Sequence, residues 1–410
     1  MRIAVWNNLP SGGGKRALYQ QVRGLLERGH EIASWTLSTA DRAYLPLDSL
    51  VREHVVPFVD AEPRGRGRVA RLLGGSNTAR RIARMHEACE RCGREMRERG
   101  VDLVFAASCR FYGIPFIGLH SGLPTVAYVQ EPNRVLYEAG HLGGEMLPWV
   151  APPAGDGPRA RLRRAVELEM AALGAREEWR AVHALDLLLV NSRFSRESFL
   201  RAYGVESRVC YLGIDTGLFR PLGLPRERYI LGLGSFDSIK RVDLAVRSVA
   251  LLPEPRPPLV WICNSGDPAY TASTVGLARH LGVELRIRTG VPDGEVVQLL
   301  NQASLLLYTS RLEPFGYAPL EANACGTPVV AVAEGGVRET VADGVNGLLA
   351  EPDPALLARA MSRLLGDTDA LEAAGRRASE HVASEWSLEA SMDRLEANLV
   401  QALGRSRRSP

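Results

Sequence analysis

Short apolar runs return along this chain with helix-period segments between them, and after residue 221 the pattern begins again. The first series occupies residues 3–6, 31–36, 102–106, 125–129 and 187–190. Between its first two members, Leu18, Val22, Leu25 and Leu26 recur on one helical face, and Gly29-His30 closes the segment. The turn-rich stretch Pro221-Leu222-Gly223-Leu224-Pro225 separates this series from a second. That one runs through residues 229–233, a helix over 240–252, then 259–263, 285–288, 304–308 and 329–332. Strands this short and apolar, alternating with helices, belong to parallel sheets covered on both faces. The expected fold is α/β, with two doubly wound, Rossmann-like domains at residues 1–215 and 216–385. A closing helix is expected over 386–403 and a disordered basic tail over 404–410.

Bulk properties agree with this layout. At 410 residues the chain exceeds one ordinary core. With 46% apolar and 24% charged residues it reads as a soluble globular protein, and a net charge of +3 does not suggest a nucleic-acid partner. No run of 18 apolar residues is present to span a bilayer. The N-terminus enters a strand directly, without a leader's basic start and apolar run, so a cytoplasmic location is expected. Cys89 and Cys92 form a lone C-x-x-C with no second pair at zinc spacing, and read as reduced thiols on a helix. No metal site is expected; Asp367-Thr368-Asp369 lies late among helices and reads as structural. Lysine occurs only at 15 and 240, each in a glycine-marked loop at the start of a helix. In so arginine-rich a chain, a retained lysine suggests a place that needs a compact, rotatable ammonium.

Residues 311–336, RLEPFGYAPLEANACGTPVVAVAEGG, are the most telling stretch. Glu313 and Glu321 stand eight apart around a Pro-Phe-Gly turn, and Glu321 reads as opening a helix. A carboxylate ahead of a helix, free N–H groups at its first turn and a carboxylate just inside it suit a ligand with hydroxyls at both ends and a phosphate between. A nucleotide-sugar has that layout.

The stretch Glu313-Pro-Phe-Gly-Tyr-Ala-Pro-Leu-Glu321 resembles the E-x7-E motif of the retaining family-4 glycosyltransferases of the GT-B fold. Asn191-Ser192-Arg193-Phe194 resembles the family's NSxF turn, and Gly213-Ile214-Asp215 with Leu218-Phe219-Arg220-Pro221 its GVDxxxFxP hinge. Gly335-Gly336 with Glu339, then Asp343-Gly344-Val345-Asn346-Gly347, resembles the GGxxE…DGxNG loop. The resemblance implies an N-terminal acceptor-side domain and a C-terminal nucleotide-sugar domain facing a central cleft. It also implies that the last helix crosses back to the N-terminal domain.

It further implies roles for single residues. Glu321 would hydrogen-bond the ribose and Glu313 the transferred hexose, while Phe315, Gly316 and Tyr317 would present backbone N–H groups to sugar and phosphate. Lys240 would clamp the diphosphate. The family usually carries an arginine where this chain has Ser235, leaving Arg241 or Lys15 to compensate. Gly12, Gly13, Gly14 and Lys15 would form the loop near phosphate and acceptor. Gln130 stands where many relatives place a histidine near the reactive carbon, with Glu131 and Arg134 as adjacent acceptor contacts.

The activity implied is hexosyl transfer with retention, without metal or other cofactor, from a nucleotide-sugar to a glycan, lipid-linked or small-molecule hydroxyl. The stretch YVQEPNRVLY at 128–137 tilts the donor toward GDP-mannose over a UDP-sugar. Ser235 and Gln130 leave open a catalytically silent nucleotide-sugar-binding homologue; a nucleotide-sugar epimerase or hydrolase is a further alternative. Two arginine groups, at 64, 66, 68 and 71 and at 159, 161, 163 and 164, read either as solvated faces or as peripheral contacts with the anionic inner face of the plasma membrane. Residues 133–164 read equally as an acceptor-facing lid or a surface excursion.

Overall fold

Ile3, Ala4, Val5 and Trp6 are each at most 1% exposed, because their strand lies inside a sheet covered on both faces. The computed structural model describes residues 1–60, 75–137 and 157–406. The first sheet contains β1 (Arg2–Asn8), β2 (Glu31–Leu37), β3 (Arg52–Val56), β4 (Leu103–Cys109), β5 (Thr125–Tyr128), β6 (Leu187–Val190) and β7 (Arg208–Val209). Its order is β3-β2-β1-β4-β5-β6-β7 and every pairing is parallel.

The second sheet contains β8 (Ile230–Leu233), β9 (Leu259–Cys263), β10 (Leu285–Thr289), β11 (Leu305–Tyr308), β12 (Val329–Val332) and β13 (Gly347–Ala350). Its order is β10-β9-β8-β11-β12-β13, again parallel throughout. In both sheets the chain winds outward one way, returns to the middle and winds the other way. The reversal falls between β1 and β4 in the first and between β8 and β11 in the second. Such switch points open a crevice at the carboxyl ends of the strands, where ligands of doubly wound sheets bind.

The chain divides into two compact units. One comprises Met1–Asn191, Ser195–Tyr211 and the chain from Met392 onward; the other comprises Ser192–Phe194 and Leu212–Ser391. Each has its own core, the first built around Trp6, Trp35, Phe116 and Phe199, the second around Phe236, Trp261, Leu307 and Met361. The last helix, Leu388–Ser406, buries Met392, Leu395, Leu399 and Ala402, a stripe at helical spacing. Met392 lies against Gly24 of the helix Gly13–Glu27, and Arg28 pairs with Asp393 at 2.7 Å.

Several expectations need adjusting. The last helix starts at Leu388 and continues through Ser406, so residues 404–406 are helical rather than part of a tail; 407–410 lie outside the described residues. The helix expected from 240 begins at Val242, after a turn that leaves Lys240 ahead of it. The arginines at 64, 66, 68 and 71, and most of the 133–164 stretch, also lie outside the described residues. Cys89 and Cys92 are fully buried, and burial pushes the Cys92 thiol up to about 12, so neither is poised as a nucleophile at neutral pH. No helix among the described residues is long and apolar enough to cross a membrane.

Gly232 on β8 shows how tightly the second sheet is covered. A Cβ there would fall 2.1 Å from the Trp261 ring on the neighbouring strand. Gly232→Ala is expected to destabilise the second unit by about 1–3 kcal/mol through overpacking. Gly276→Ala, on an exposed helical position with nothing within 4 Å, is expected to stabilise it by roughly 0.5–1 kcal/mol. Urea unfolding followed by tryptophan fluorescence should therefore move in opposite directions for the two variants.

Candidate functional site

In the second unit, the loops leaving β8 and β11 are tied together at the switch point. Thr309 Oγ1 donates to the Lys240 carbonyl at 2.7 Å, and the Arg311 N–H donates to the Ile239 carbonyl at 2.8 Å. These bonds bring the Lys240 ammonium against Glu313. Its Nζ donates to Glu313 Oε2 at 2.6 Å and to Ser310 Oγ at 3.3 Å, and Ser310 donates to the same carboxylate oxygen at 2.7 Å. The lysine stem runs past Gly234, where a Cβ would stand 3.2 Å from Lys240 Cε. Gly234 has φ +144°, so a side chain there would be strained as well as crowded.

Burial disfavours the charged amine, but the Glu313 carboxylate outweighs it, with smaller help from Tyr308 and Asp237. The Lys240 pKa is therefore raised above its ordinary 10.5. Because the folded value exceeds the unfolded one, this stabilisation is fully present below pH 10.5 and is lost only as pH climbs through the folded value. Tyr308, beneath the pair, is kept protonated by burial first and by Glu313 second.

The turn bearing Glu313 rests on bare backbone. The Gly336 N–H donates to the Glu313 carbonyl at 2.7 Å. A Cβ on Gly336 would lie 2.0 Å from the Pro314 oxygen, and one on Gly335, whose φ is +61°, would lie 2.4 Å from the Glu313 oxygen. Glu334 fixes the same turn by accepting from the Leu312 N–H at 3.2 Å and pairing with Arg241 at 3.1 Å. Arg241, expected to supplement the charge missing at Ser235, thus has its guanidinium on Glu334. Ser235 lies half-buried in the loop after β8.

Gly316, at φ +97°, caps the helix Tyr317–Ala324. Pro319 is its third residue, where an N–H would find no partner inside the helix anyway. Glu321 is therefore the fifth residue, on the second turn, and does not open the helix as its spacing suggested. It is 3% exposed. Burial first, then the Glu321 carboxylate, push the neighbouring Cys325 thiol up to about 12. Phe315 is buried, packed edge-on against Tyr317 and Trp386 at 5.4 and 5.7 Å. Below the helix, Asn346 Nδ2 donates to Asn323 Oδ1 at 3.0 Å, and Asn323 Nδ2 donates to the Asn346 carbonyl at 2.8 Å. That reciprocal pair anchors the loop at 343–347 to the glutamate helix.

In the first unit, the glycine loop after β1 meets the turn after β5. Gly12 (φ +130°) leads into the helix Gly13–Glu27, and a Cβ on Gly14 would contact Gln130 Nε2 at 3.6 Å. The Gln130 carbonyl accepts from Ser195 Oγ at 2.6 Å. Glu131 and Arg134 pair at 2.5 Å, with Arg134 9% exposed. Lys15, in contrast, is only 1% exposed. Burial lowers its pKa, Glu53 acts most strongly in the other direction, and Nζ has no hydrogen-bond partner among the described residues. Its amine is sealed inside the first unit.

Ser310 and Glu334 were not singled out from the sequence. Ser310 sits three residues before Glu313 and Glu334 immediately before Gly335-Gly336, so a motif reading extended by a few residues either way would have reached both.

The model for Glycosyltransferase Family 4 matches residues 11–218, and that for Glycosyl transferases group 1 matches residues 218–381. The D-inositol 3-phosphate glycosyltransferase of Thermobispora bispora is 31% identical over 257 residues, covering 57% of this chain and 60% of the relative. That of Mycolicibacterium smegmatis is 33% identical over 267 residues, covering 61% and 58%. The chain thus spans about 60% of the length of the curated relatives it matches. Among solved structures, sucrose-phosphate synthase from Thermosynechococcus elongatus aligns with a TM-score of 0.71 at 19% identity, covering 99% of this chain and all of the other. Anabaena HepE in complex with UDP-glucose aligns with a TM-score of 0.69 at 18% identity, covering 98% and 100%. These structures share the GT-B architecture of two parallel-sheet domains.

The ion pair has a chemical signature. With only two lysines in the chain, acylation of each can be followed by mass spectrometry. Glu313→Gln removes the carboxylate that keeps the Lys240 amine protonated, so its acylation at pH 9 is expected to accelerate roughly tenfold or more over the wild type, while the sealed Lys15 stays equally slow in both proteins. An unchanged rate would mean that Glu313 does not govern the amine.

Proposed function

We propose that this chain, a member of glycosyltransferase family 4, uses a nucleotide-sugar donor and moves a hexose to an acceptor hydroxyl with retention and without a metal. The observation that carries the reading is the Lys240–Ser310–Glu313 cluster beside the helix of Glu321, at the switch point of the second sheet. A diphosphate entering beside Lys240 would replace Glu313 as the partner of the ammonium, freeing the carboxylate to accept hydroxyls of the hexose. Glu321, already desolvated, would take the ribose diol. Charge that builds on the leaving diphosphate would be met by a fixed ammonium, so the stabilisation grows toward the transition state.

On this reading the acceptor hydroxyl attacks the anomeric carbon from the face the diphosphate leaves, and its proton passes to a leaving phosphate oxygen. Gln130, Glu131 and Arg134, with the Gly12–14 loop, face the acceptor. Gln130 cannot titrate, so its part is alignment through its amide rather than proton removal. GDP-mannose leads the donor panel on the strength of residues 128–137, and UDP-glucose, the ligand named for the HepE complex, follows. Relatives at 31–33% identity named as D-inositol 3-phosphate glycosyltransferases make inositol 3-phosphate the first acceptor to try. Glycan and lipid-linked acceptors come next.

Thermal melting with each donor at matched concentration tests the donor site, because a ligand that binds only the folded state raises its melting temperature. One nucleotide class should shift the transition, and Glu321→Ala should abolish that shift without changing the ligand-free melt. Lys240→Ala should lower turnover by about 10²–10³, as expected for removing a group that stabilises transition-state charge. Donor binding without transfer to any acceptor would replace this reading with that of a silent nucleotide-sugar-binding homologue, with Ser235 and Gln130 the first residues to revert.

A further inference from the structure

Glu178 is a fully buried carboxylate for which the chemistry above has no use. It lies on the helix Pro158–His183 with 0% of its surface exposed. Three neutral donors surround it. The Gly113 N–H reaches Oε1 at 3.0 Å, Asn133 Nδ2 reaches Oε1 at 3.2 Å, and the Tyr203 hydroxyl reaches Oε2 at 2.8 Å. Burial raises the Glu178 pKa and the three hydrogen bonds pull it partly back. Burial and the Glu178 carboxylate raise the Tyr203 phenol, which keeps it a donor. Burying a carboxylate with neutral partners is unfavourable compared with an apolar residue of similar size, so packing alone gives no reason for it.

What the carboxylate joins does give one. Gly113 belongs to the turn after β4, Asn133 to the turn after β5, and Tyr203 ends the helix Arg193–Tyr203. The two turns touch, since a Cβ on Gly113 would lie 3.2 Å from the Asn133 nitrogen. Asn133 follows Gln130 and Glu131 and immediately precedes Arg134. Its carbonyl accepts the Tyr137 N–H at 3.2 Å, and the Tyr137 ring stands edge-on to Tyr203 at 4.9 Å. One carboxylate therefore fixes both the start of this segment and the ring against which its end packs.

We propose that Glu178 is a positioning residue for the acceptor: through Asn133 and Tyr203 it holds residues 130–134 in the geometry that receives the acceptor hydroxyl. The proposal rests on the reading that this segment faces the acceptor. It distinguishes Glu178 from an ordinary core residue, because its loss should affect one substrate and not the other.

Glu178→Leu leaves the Gly113 N–H and the Asn133 amide without an acceptor. It is expected to raise the acceptor KM about tenfold while the donor Kd, read by melting shift, stays within about twofold. Glu178→Gln keeps an oxygen for those two donors, and the Tyr203 hydroxyl can turn to accept from the new amide, so most of the loss should be recovered. Hydrogen exchange at the amides of residues 130–137 should quicken in the leucine variant and return in the glutamine variant, a readout independent of turnover. If the leucine variant does not fold, Tyr203→Phe, which removes one donor alone, is expected to show a smaller acceptor KM rise of about two- to threefold with the same donor constancy.

An unchanged acceptor KM in a folded variant, equal losses for donor and acceptor, or unaltered exchange at 130–137 would each overturn the proposal. Those outcomes would leave the transferase reading intact, provided wild type binds the donor and transfers. Quickened exchange in the leucine variant of a wild type that transfers nothing would support the tether and sink the functional reading instead.

Discussion

The pairing of Lys240 with Glu313 is the constraint around which the second unit's ligand face is arranged. Each charge is partly withdrawn from water, and each is tolerable there because the other is 2.6 Å away. The surrounding features serve to keep that distance. Gly234 makes room for the lysine stem, Thr309 and Arg311 lash the two loops together, and Gly335 with Gly336 lets the glutamate turn settle on bare backbone. A substitution at any of these points shifts one charge relative to the other, and low local dielectric makes such a shift expensive. The site is thus organised before a ligand arrives, which is what charge stabilisation by a fixed group requires.

Glu313 and Glu178 solve the same problem in different ways. Glu313 has a cation and a hydroxyl as partners, and an incoming anion can exchange places with it. Glu178 has three neutral donors from three separate elements, and no group on a ligand could substitute for all of them. The first arrangement suits a residue that must change partners during a cycle. The second suits one that must not. The two carboxylates also belong to different compact units, one only partly withdrawn from water and the other fully buried, each next to a switch-point loop.

Much of this was legible in the sequence, and what was missed has physical causes. The central strands read clearly because burial on both faces leaves no room for polar alternation, as in the Val329–Val332 strand. Of the edge strands only Leu285–Thr289 was legible: Arg52–Val56 carries Arg, Glu and His, Arg208–Val209 is two residues long, and Gly347–Ala350 hid inside a glycine-rich loop motif. Lys240, Glu313 and Glu321 could be chosen because charged residues stood at special positions between turn residues and apolar runs. Glu321 was nevertheless misplaced within its helix, since a left-handed glycine start and a first-turn proline look like an extended turn when read as letters. Lys15 shared every local mark of Lys240, a glycine loop and a helix start. Only its burial, with Glu53 as the strongest opposing charge, shows that its amine points inward. Glu178 sits in a run of charged helical residues, Arg176-Glu177-Glu178-Trp179-Arg180, where nothing marks one glutamate as buried. Its role depends on which face of the helix meets the sheet.

The two lysines have a consequence beyond the ligand site. One is sealed in the first unit and the other is held by Glu313, so the positive charge that meets solvent is carried almost wholly by guanidinium groups. Guanidinium does not lose its proton below about pH 12. A lysine-covered protein sheds its positive charge as alkali is added; this one keeps its guanidinium charges through that range, and a partner that relies on those groups would meet them at about pH 10 as at pH 7.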